Sequence, residues 1–230
     1  MKQWTKLRIM TYNIRHGKGL DNKTNLRRIA AEIAKAKVDV AALQEVDRHF
    51  SRSGFQDQAA ILANLLGMHV SFSPSINFGW LQYGNVILSK RPPESKQVDY
   101  LPGIRERRSA LCVKLLAGAA NATVDVLNTH LGVQEIERLM QLPHLRDRMD
   151  RLETPAIVLG DFNMEADDES MAKLMNGWRK LKLPRKQTTT YHKGGEIDHI
   201  FVNMPLRKAK IWVQHSLASD HHPVIAELMW

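Results

Sequence analysis

One cysteine, Cys112, stands among 230 residues, so the chain builds no disulfide framework within itself and no thiolate metal site. A reducing, cytoplasmic setting is the expectation. No apolar run approaches the roughly 18 residues of a membrane span, and the opening Met1–Lys6 has no signal-type apolar core. Repeats, low-complexity tracts and Pro/Gly/Ser-rich linkers are also missing, so residues 1–230 are expected to form one domain with a sizeable core. Three familiar catalytic signatures are absent too. Without His-x-x-x-His or Cys-x-x-Cys there is no zinc site of the usual spacing. Without Gly-x-x-x-x-Gly-Lys-Ser/Thr there is no phosphate-cradling P-loop, and without Gly-x-Ser-x-Gly there is no serine nucleophile elbow.

What is present is an ordinary globular composition, 43% apolar and 25% charged, with a formal charge of +9 and a pI near 9.7. That excess of Lys and Arg favours anionic partners: nucleic acid, lipid headgroups or small phosphate esters. The basic residues are spread without a long run, so charge alone names no substrate.

The chain reads as short apolar strands interrupted by a few helices. Strands are expected at Leu7–Ile14, Val38–Leu43, Val70–Ser73, Tyr83–Ser89, Ala110–Leu116, Thr123–Asn128, Ala156–Leu159, Glu196–Val202, Lys210–His215 and Pro223–Leu228. Helices are expected at Asn22–Ala36, capped by Asn22 or Thr24, and at Gln56–Leu66, stopped by Gly67. A short helix is expected at Asp167–Met175, and a longer one at Val133–Leu152 that Pro143 should kink or divide. About ten strands with so few helices point to an α/β sandwich of packed sheets.

Six of these strands run into Asn, Gln, Glu, Asp or His. They end in Tyr12-Asn13, Gln44-Glu45, Asn128-Thr129-His130, Gly160-Asp161-Phe162-Asn163, Asp198-His199, and, before the last strand, Ser219-Asp220-His221-His222. Each alone has a bland reading: Glu45 as a solvated strand end, Gly-Asp-Phe-Asn as a turn, Asp220-His221 as a capped turn before Pro223. Together they would gather polar groups on a stiff rim. Glu45, Asp161 and Asp220 with Asn13 and Asn163 are the oxygen donors that a hard cation such as magnesium prefers.

In this order the segments resemble the endonuclease/exonuclease/phosphatase superfamily, from Thr11-Tyr12-Asn13-Ile14-Arg15 to Ser219-Asp220-His221-His222-Pro223, including Gly84-Asn85-Val86-Ile87-Leu88-Ser89-Lys90. The resemblance implies a four-layer α/β/β/α sandwich of two mixed sheets flanked by helices. It implies a divalent-metal-dependent phosphoesterase using Mg2+, with Mn2+ as an alternative. Glu45 resembles the principal metal-binding residue, with Asn13 beside it and Asp220 as a further acidic member. Asp161 resembles the group that orients or deprotonates the attacking water, and Asn163 a donor to the phosphate. His221 resembles the histidine that contacts the phosphate or relays a proton, oriented by Asp198, and His130 the second histidine of deoxyribonuclease-like members.

Substrate contacts are expected from Arg15, Asn85, Arg108 and Tyr191, while Gln44 is expected to support the turn at Glu45. In Arg-Glu-Arg-Arg-Ser, Arg107 stands where relatives often have proline, which leaves open whether Arg107 or Arg108 points inwards. The rim segments are expected at Ser71–Gln82, with Phe72, Phe78, Trp80 and nearby Tyr83, at Asp99–Arg108, and at Gln187–His192. The expected partner is a phosphate-ester substrate, nucleic acid among the options, with no integral membrane segment and no obligate protein partner. A hydrolase of phospholipid headgroups or small metabolites is the alternative, and an inactive anion-binding module a third.

Overall fold

Strands that read as unbroken apolar runs must be covered on both faces, and the fold satisfies this with two sheets and two outer layers of helices. The computed structural model describes residues 4–104, 106–119, 121–152, 155–186 and 188–230. In chain order the elements are β1 (Lys6–Asn13), α1 (Leu26–Ala36), β2 (Val40–Arg48), α2 (Gln58–Leu66), β3 (His69–Phe78), β4 (Leu81–Ser89), β5 (Ser95–Leu101), β6 (Arg108–Ala117) and β7 (Ala122–His130). They continue with α3 (Glu135–Asp150), β8 (Ala156–Asp161), α4 (Glu169–Leu174), β9 (Arg179–Lys180), β10 (Asp198–Val202), β11 (Lys208–Val213) and β12 (Val224–Met229). One sheet has the order β11-β12-β1-β2-β4-β3 and the other β5-β6-β7-β8-β10-β9.

Period-two alternation sorts the buried side chains into three cores. Ile9, Val40, Ala42, Ile87, Leu111 and Ile157 lie in the core shared by the two sheets. Met10, Tyr12, Ala41 and Leu43 turn to the other side, where Ile29, Ile33 and Leu62 of α1 and α2 meet them. On the second sheet Cys112, Leu127, Val158 and Phe201 pack with Leu145, Met149 and Met171 of α3 and α4. Three cores separate four layers, as the resemblance implies.

Several boundaries differ from the sequence reading. The cap of α1 is Asn25, whose side chain accepts from the Arg27 and Arg28 amides, so the helix starts later than Asn22. Gly67 ends α2 in the left-handed conformation, as expected. Pro143 does not divide α3, which runs unbroken through it. The expected rim segment Ser71–Gln82 is instead most of a hairpin in which β3 pairs with β4 from His69↔Ser89 to Phe78↔Leu81. The two ends of Asp99–Arg108 are likewise ladder, because β5 pairs with β6 from Ser95↔Lys114 to Leu101↔Arg108. Alternation is weak in both, since polar residues face solvent along edge strands. Arg105 and Gln187, within two of the expected rim segments, lie outside the described residues.

Each sheet contains a parallel pair, and these pairs position the site. β1 and β2 run parallel with Asn13 opposite Gln44. β7 and β8 run parallel with His130 opposite Asp161. Both pairs therefore end in the polar residues singled out above. Gly160 is required by this packing: its φ is +152°, and a Cβ there would lie 1.9 Å from the Thr129 carbonyl oxygen.

Candidate active site

Glu45 reaches the site through a backbone irregularity. The β2–β4 register shifts between Leu43 and Val46, and Glu45 sits in the bulge with φ +59°. A bulge re-aims one side chain out of the regular alternation, so Glu45 leaves the sheet while its neighbours stay in it. Arg15 (φ +46°) and Asn163 (φ +50°) adopt the same left-handed backbone. Such strain in non-glycine residues gathers where a site must be held in shape.

Beneath the bulge a buried polar tie joins the sheets. Gln44 Nε2 donates to Asn128 Oδ1 at 2.7 Å and to Thr11 Oγ1 at 3.1 Å. Asn128 Nδ2 donates to the Leu43 and Val86 carbonyls at 2.9 Å each. Gln44 is thus buried in the tie next to the Glu45 bulge and not presented to a ligand. Asn128 was not singled out as a site residue, although an Asn placed after Val126-Leu127 in an apolar strand was the available signal.

Asn13 bridges two carboxylates. Its Nδ2 lies 3.0 Å from Glu45 Oε1 and 3.0 Å from Asp161 Oδ2, while its Oδ1 accepts from the Arg15 amide at 3.0 Å. The Arg15 amide can only donate, which fixes the orientation of the Asn13 side chain. Asn13 therefore turns a nitrogen, not an oxygen, towards Glu45, and orients that carboxylate instead of sharing a cation with it. Ser219 Oγ anchors the Asn13 carbonyl at 2.8 Å.

Asp161 is the centre of the arrangement and is 1% exposed. Three nitrogens converge on its Oδ2: Asn13 Nδ2, His130 Nε2 at 3.5 Å and His221 Nε2 at 3.7 Å. Its Oδ1 accepts from the Asn163 amide at 3.0 Å. Burial pushes the Asp161 carboxyl up to about 6, against the opposing charge of His221. Asp198 Oδ2 lies 2.9 Å from His221 Nδ1. Burial disfavours a charge on His221, but Asp198 and Asp161 outweigh it and raise its pKa to about 10. His221 is therefore an imidazolium at neutral pH. His130 goes the other way: burial, then the charges of Arg108 and His221, hold its pKa well below the usual value.

The remaining expected residues fall into two groups. Tyr191 packs its ring on His221 with centroids 4.8 Å apart, and Arg15 Nε lies 3.4 Å from Asp220 Oδ2. Arg108, not Arg107, points inwards: its Nη1 contacts His130 Nδ1 at 3.1 Å, whereas the Arg107 guanidinium lies over Tyr100. By contrast, Asn85 is 1% exposed and donates to the Ser109 carbonyl at 2.9 Å, which makes it a tie between the sheets and corrects the expectation of a substrate contact. Asn163 Nδ2 is partly spent on the Leu131 carbonyl at 2.9 Å, leaving one hydrogen for a ligand.

Asp161, Asp198 and His221 each bring a ligand atom within 4.8 Å of the others, a grouping that could hold a metal ion. Glu45 offers a second kind of donor. Its carboxylate takes a hydrogen bond from Asn13, and among the described residues no Lys, Arg or His nitrogen lies within 4 Å of it. A partly buried carboxylate left without a counter-charge, with Asp220 as the further acidic group at this end, suits a hard cation.

On the rim, the exposed rings are not all those expected. Tyr83 is buried and Phe72 packs against the α1/α2 core, but Phe78 (71%), Trp80 (64%) and Phe55 (58%) are open to solvent. The Phe55 and Trp80 rings lie within 7° of parallel, and His49 stacks on Trp80 at 5.6 Å. Among the described residues no helix is long and apolar enough to cross a membrane.

The Endonuclease/Exonuclease/phosphatase family matches residues 10–221. The uncharacterized protein YbhP of Escherichia coli strain K12 is 23% identical over 252 aligned positions, covering 98% of this chain and 97% of that protein. An endonuclease/exonuclease/phosphatase from Beutenbergia cavernae superposes with a TM-score of 0.80 at 22% identity, covering 97% of this chain and 71% of that chain. Truncated TDP2 of Caenorhabditis elegans superposes with a TM-score of 0.73 at 19% identity, covering 98% of each chain.

Proposed function

The chain belongs to the endonuclease/exonuclease/phosphatase family, and from that premise we propose that it is a divalent-metal-dependent phosphoesterase acting on phosphodiesters, with nucleic acid as the favoured substrate class. The observation that carries the reading is the convergence of Asn13, His130 and His221 nitrogens on Asp161 Oδ2. A carboxylate that faces several N–H donors is arranged to hold a water between itself and an anion those donors also bind.

Glu45 and Asp220 would hold magnesium or manganese. When bound, that ion would neutralise charge on the phosphoryl oxygens and lower the pKa of water beside it. The remaining chemistry falls to the chain's own side chains. Asp161, ionised at neutral pH but kept basic by burial, takes the proton of the attacking water. The His221 imidazolium, fixed by Asp198, directs Nε2–H at the negative charge that builds on phosphorus-bound oxygens. Asn163 supplies its remaining amide hydrogen to the same oxygens. Arg15 and Tyr191 stand beside the pocket as substrate contacts.

Nucleic acid is favoured by the +9 charge together with the Phe55–Trp80–His49 stack, formed by the loop after the Glu45 strand and the β3–β4 turn. Aromatic faces beside basic groups suit unpaired bases. The test is a panel of bis-p-nitrophenyl phosphate, plasmid DNA, RNA, phospholipids and inositol phosphates, with and without Mg2+ or Mn2+, run beside Glu45→Ala. Metal-dependent cleavage that Glu45→Ala abolishes is expected. Cleavage of phospholipid or inositol phosphate in preference to every nucleic acid would transfer the assignment to that class, and cleavage that survives both chelation and Glu45→Ala would remove the metal from it.

A further inference from the structure

The two histidines flanking Asp161 are held by partners of opposite kind. His221 Nδ1 faces a carboxylate, Asp198 Oδ2, at 2.9 Å. His130 Nδ1 faces a guanidinium, Arg108 Nη1, at 3.1 Å. A carboxylate accepts, so it draws a proton onto the nitrogen it meets. Arginine carries only donors and no acceptor. The nitrogen that meets Arg108 must therefore present its lone pair, and the proton of a neutral His130 ring sits on Nε2, the atom 3.5 Å from Asp161 Oδ2.

Arg108 is itself pinned. Its Nη1 bears two hydrogens, one for His130 Nδ1 and one for Glu106 Oε1 at 3.0 Å. At 8% exposure the residue is buried at the start of β6. Arg107 cannot take over, since its guanidinium lies on Tyr100. His130 is 4% exposed and packed among Arg108, Asp161 and the charge of His221, and among the described residues Asp161 is the one carboxylate within 4 Å of its ring nitrogens.

Resting on the phosphoesterase reading of the site, we propose that Arg108 is a positioning residue that locks His130 as a neutral Nε2–H hydrogen-bond donor to the phosphoryl oxygen and keeps that ring out of proton transfer. The two rings look equivalent from their distances to Asp161, yet they do unequal work. A protonated His130 would place a second imidazolium beside His221 and Arg108. An Nδ1–H tautomer would aim a lone pair at the substrate's oxygens, where it repels. Arg108 excludes both states with one hydrogen bond.

The proton positions are read directly by long-range 1H–15N correlation spectra of the full chain labelled at imidazole nitrogen, recorded with Mg2+ present. The wild type is expected to show His130 with a proton on Nε2 and a bare Nδ1. Arg108→Met frees Nδ1, so His130 is expected to become a mixture of tautomers, and kcat on the best diester of the panel to fall about tenfold or more with KM changed little, as for a weakened oxyanion donor. Arg108→Lys, whose ammonium also only donates, is expected to keep the Nε2–H tautomer and most of kcat. A wild-type His130 carrying its proton on Nδ1, or on both nitrogens, overturns the proposal. An unchanged His130 spectrum in Arg108→Met overturns it equally, and if that variant does not fold, the wild-type and Arg108→Lys spectra decide. The spectra need no turnover, so a chain that cleaves nothing on the panel would sink the phosphoesterase reading while the tautomer is still measured.

Discussion

Gln44 Nε2 lies 2.7 Å from Asn128 Oδ1, so the two sheets meet through a pair of buried side-chain amides one residue before Glu45 and two before His130. Asn128 is wholly buried and also serves the Leu43 and Val86 carbonyls. Asn128→Ala takes a donor from the Leu43 and Val86 carbonyls, while Gln44 Nε2 keeps Thr11 Oγ1 and the Ala42 carbonyl. With a buried unsatisfied group costing about 1–3 kcal/mol, the expected loss in a urea titration is about 2 kcal/mol or more. Because the same tie supports the Glu45 bulge, metal-dependent turnover should fall even at temperatures where the variant stays folded. A variant as stable as wild type would show that the tie is not what holds the sheets in register here.

Gly160→Ala asks for a Cβ where the Thr129 carbonyl already sits. The residue also has a φ that side chains other than glycine rarely adopt. Strain of this kind costs about 1–3 kcal/mol before the clash is counted. The variant is expected to be destabilised by more than that, or insoluble, with the parallel β7–β8 pair spread apart. Native stability by calorimetry would refute the close approach.

The raised pKa of His221 links stability to pH. Its proton is held more tightly in the folded chain than in the unfolded one, so its contribution is complete below about 6.5, the ordinary histidine value. That contribution is lost as pH climbs towards the folded value of about 10. Comparing wild type with His221→Gln cancels the titrating groups remote from it and leaves His221 with the carboxylates it touches. The stability gap between them should shrink from pH 7 to 10 by up to about 1.4 kcal/mol per pH unit. A gap that stays constant over that window would mean that His221 is not held as an imidazolium.

Asp198→Asn keeps the shape of the side chain but weakens its hold on the imidazolium, since an amide carries no charge. Turnover is expected to fall at least about 10²-fold, the lower end for a positioned acid–base group. The limb of the pH–rate profile assigned to His221 should move to lower pH. An unaltered profile would detach Asp198 from the mechanism.

Trp80→Ala tests the rim. If the aromatic stack receives bases, KM for a single-stranded oligonucleotide should rise severalfold, because stacking on one ring is worth about 1–3 kcal/mol. Cleavage of bis-p-nitrophenyl phosphate, too small to span rim and pocket, should be unchanged. Equal effects on both substrates would place Trp80 in the fold and not in recognition.

Much of this architecture is legible in the sequence because burial on both faces leaves long apolar runs, and each run stops at its polar end. Asn13, His130 and Asp161 are readable for that reason, since each ends a strand, and Asp198 because it opens one. The edges are less legible. The β5 strand and the outer part of β3 carry Ser, Lys, Gln and Asn on solvent faces, so their ladders leave little apolar pattern. The bulge at Glu45 has no signature of its own, since nothing in Gln-Glu-Val asks for a left-handed residue. Arg107 and Arg108 are chemically identical neighbours, and only the register of β6 decides which one faces His130.

The order of the strands also sets when the site comes into being. His221 lies three residues before β12, and β12 is an interior strand of its sheet, inserted between β1 and the edge strand β11. A chain emerging from the ribosome thus carries Glu45 and Asp161 long before it carries the imidazolium that works with them. The segment that delivers His221 also delivers the strand that joins β11 to β1, so a chain cut before it would lose a sheet partner of β1 and this histidine together.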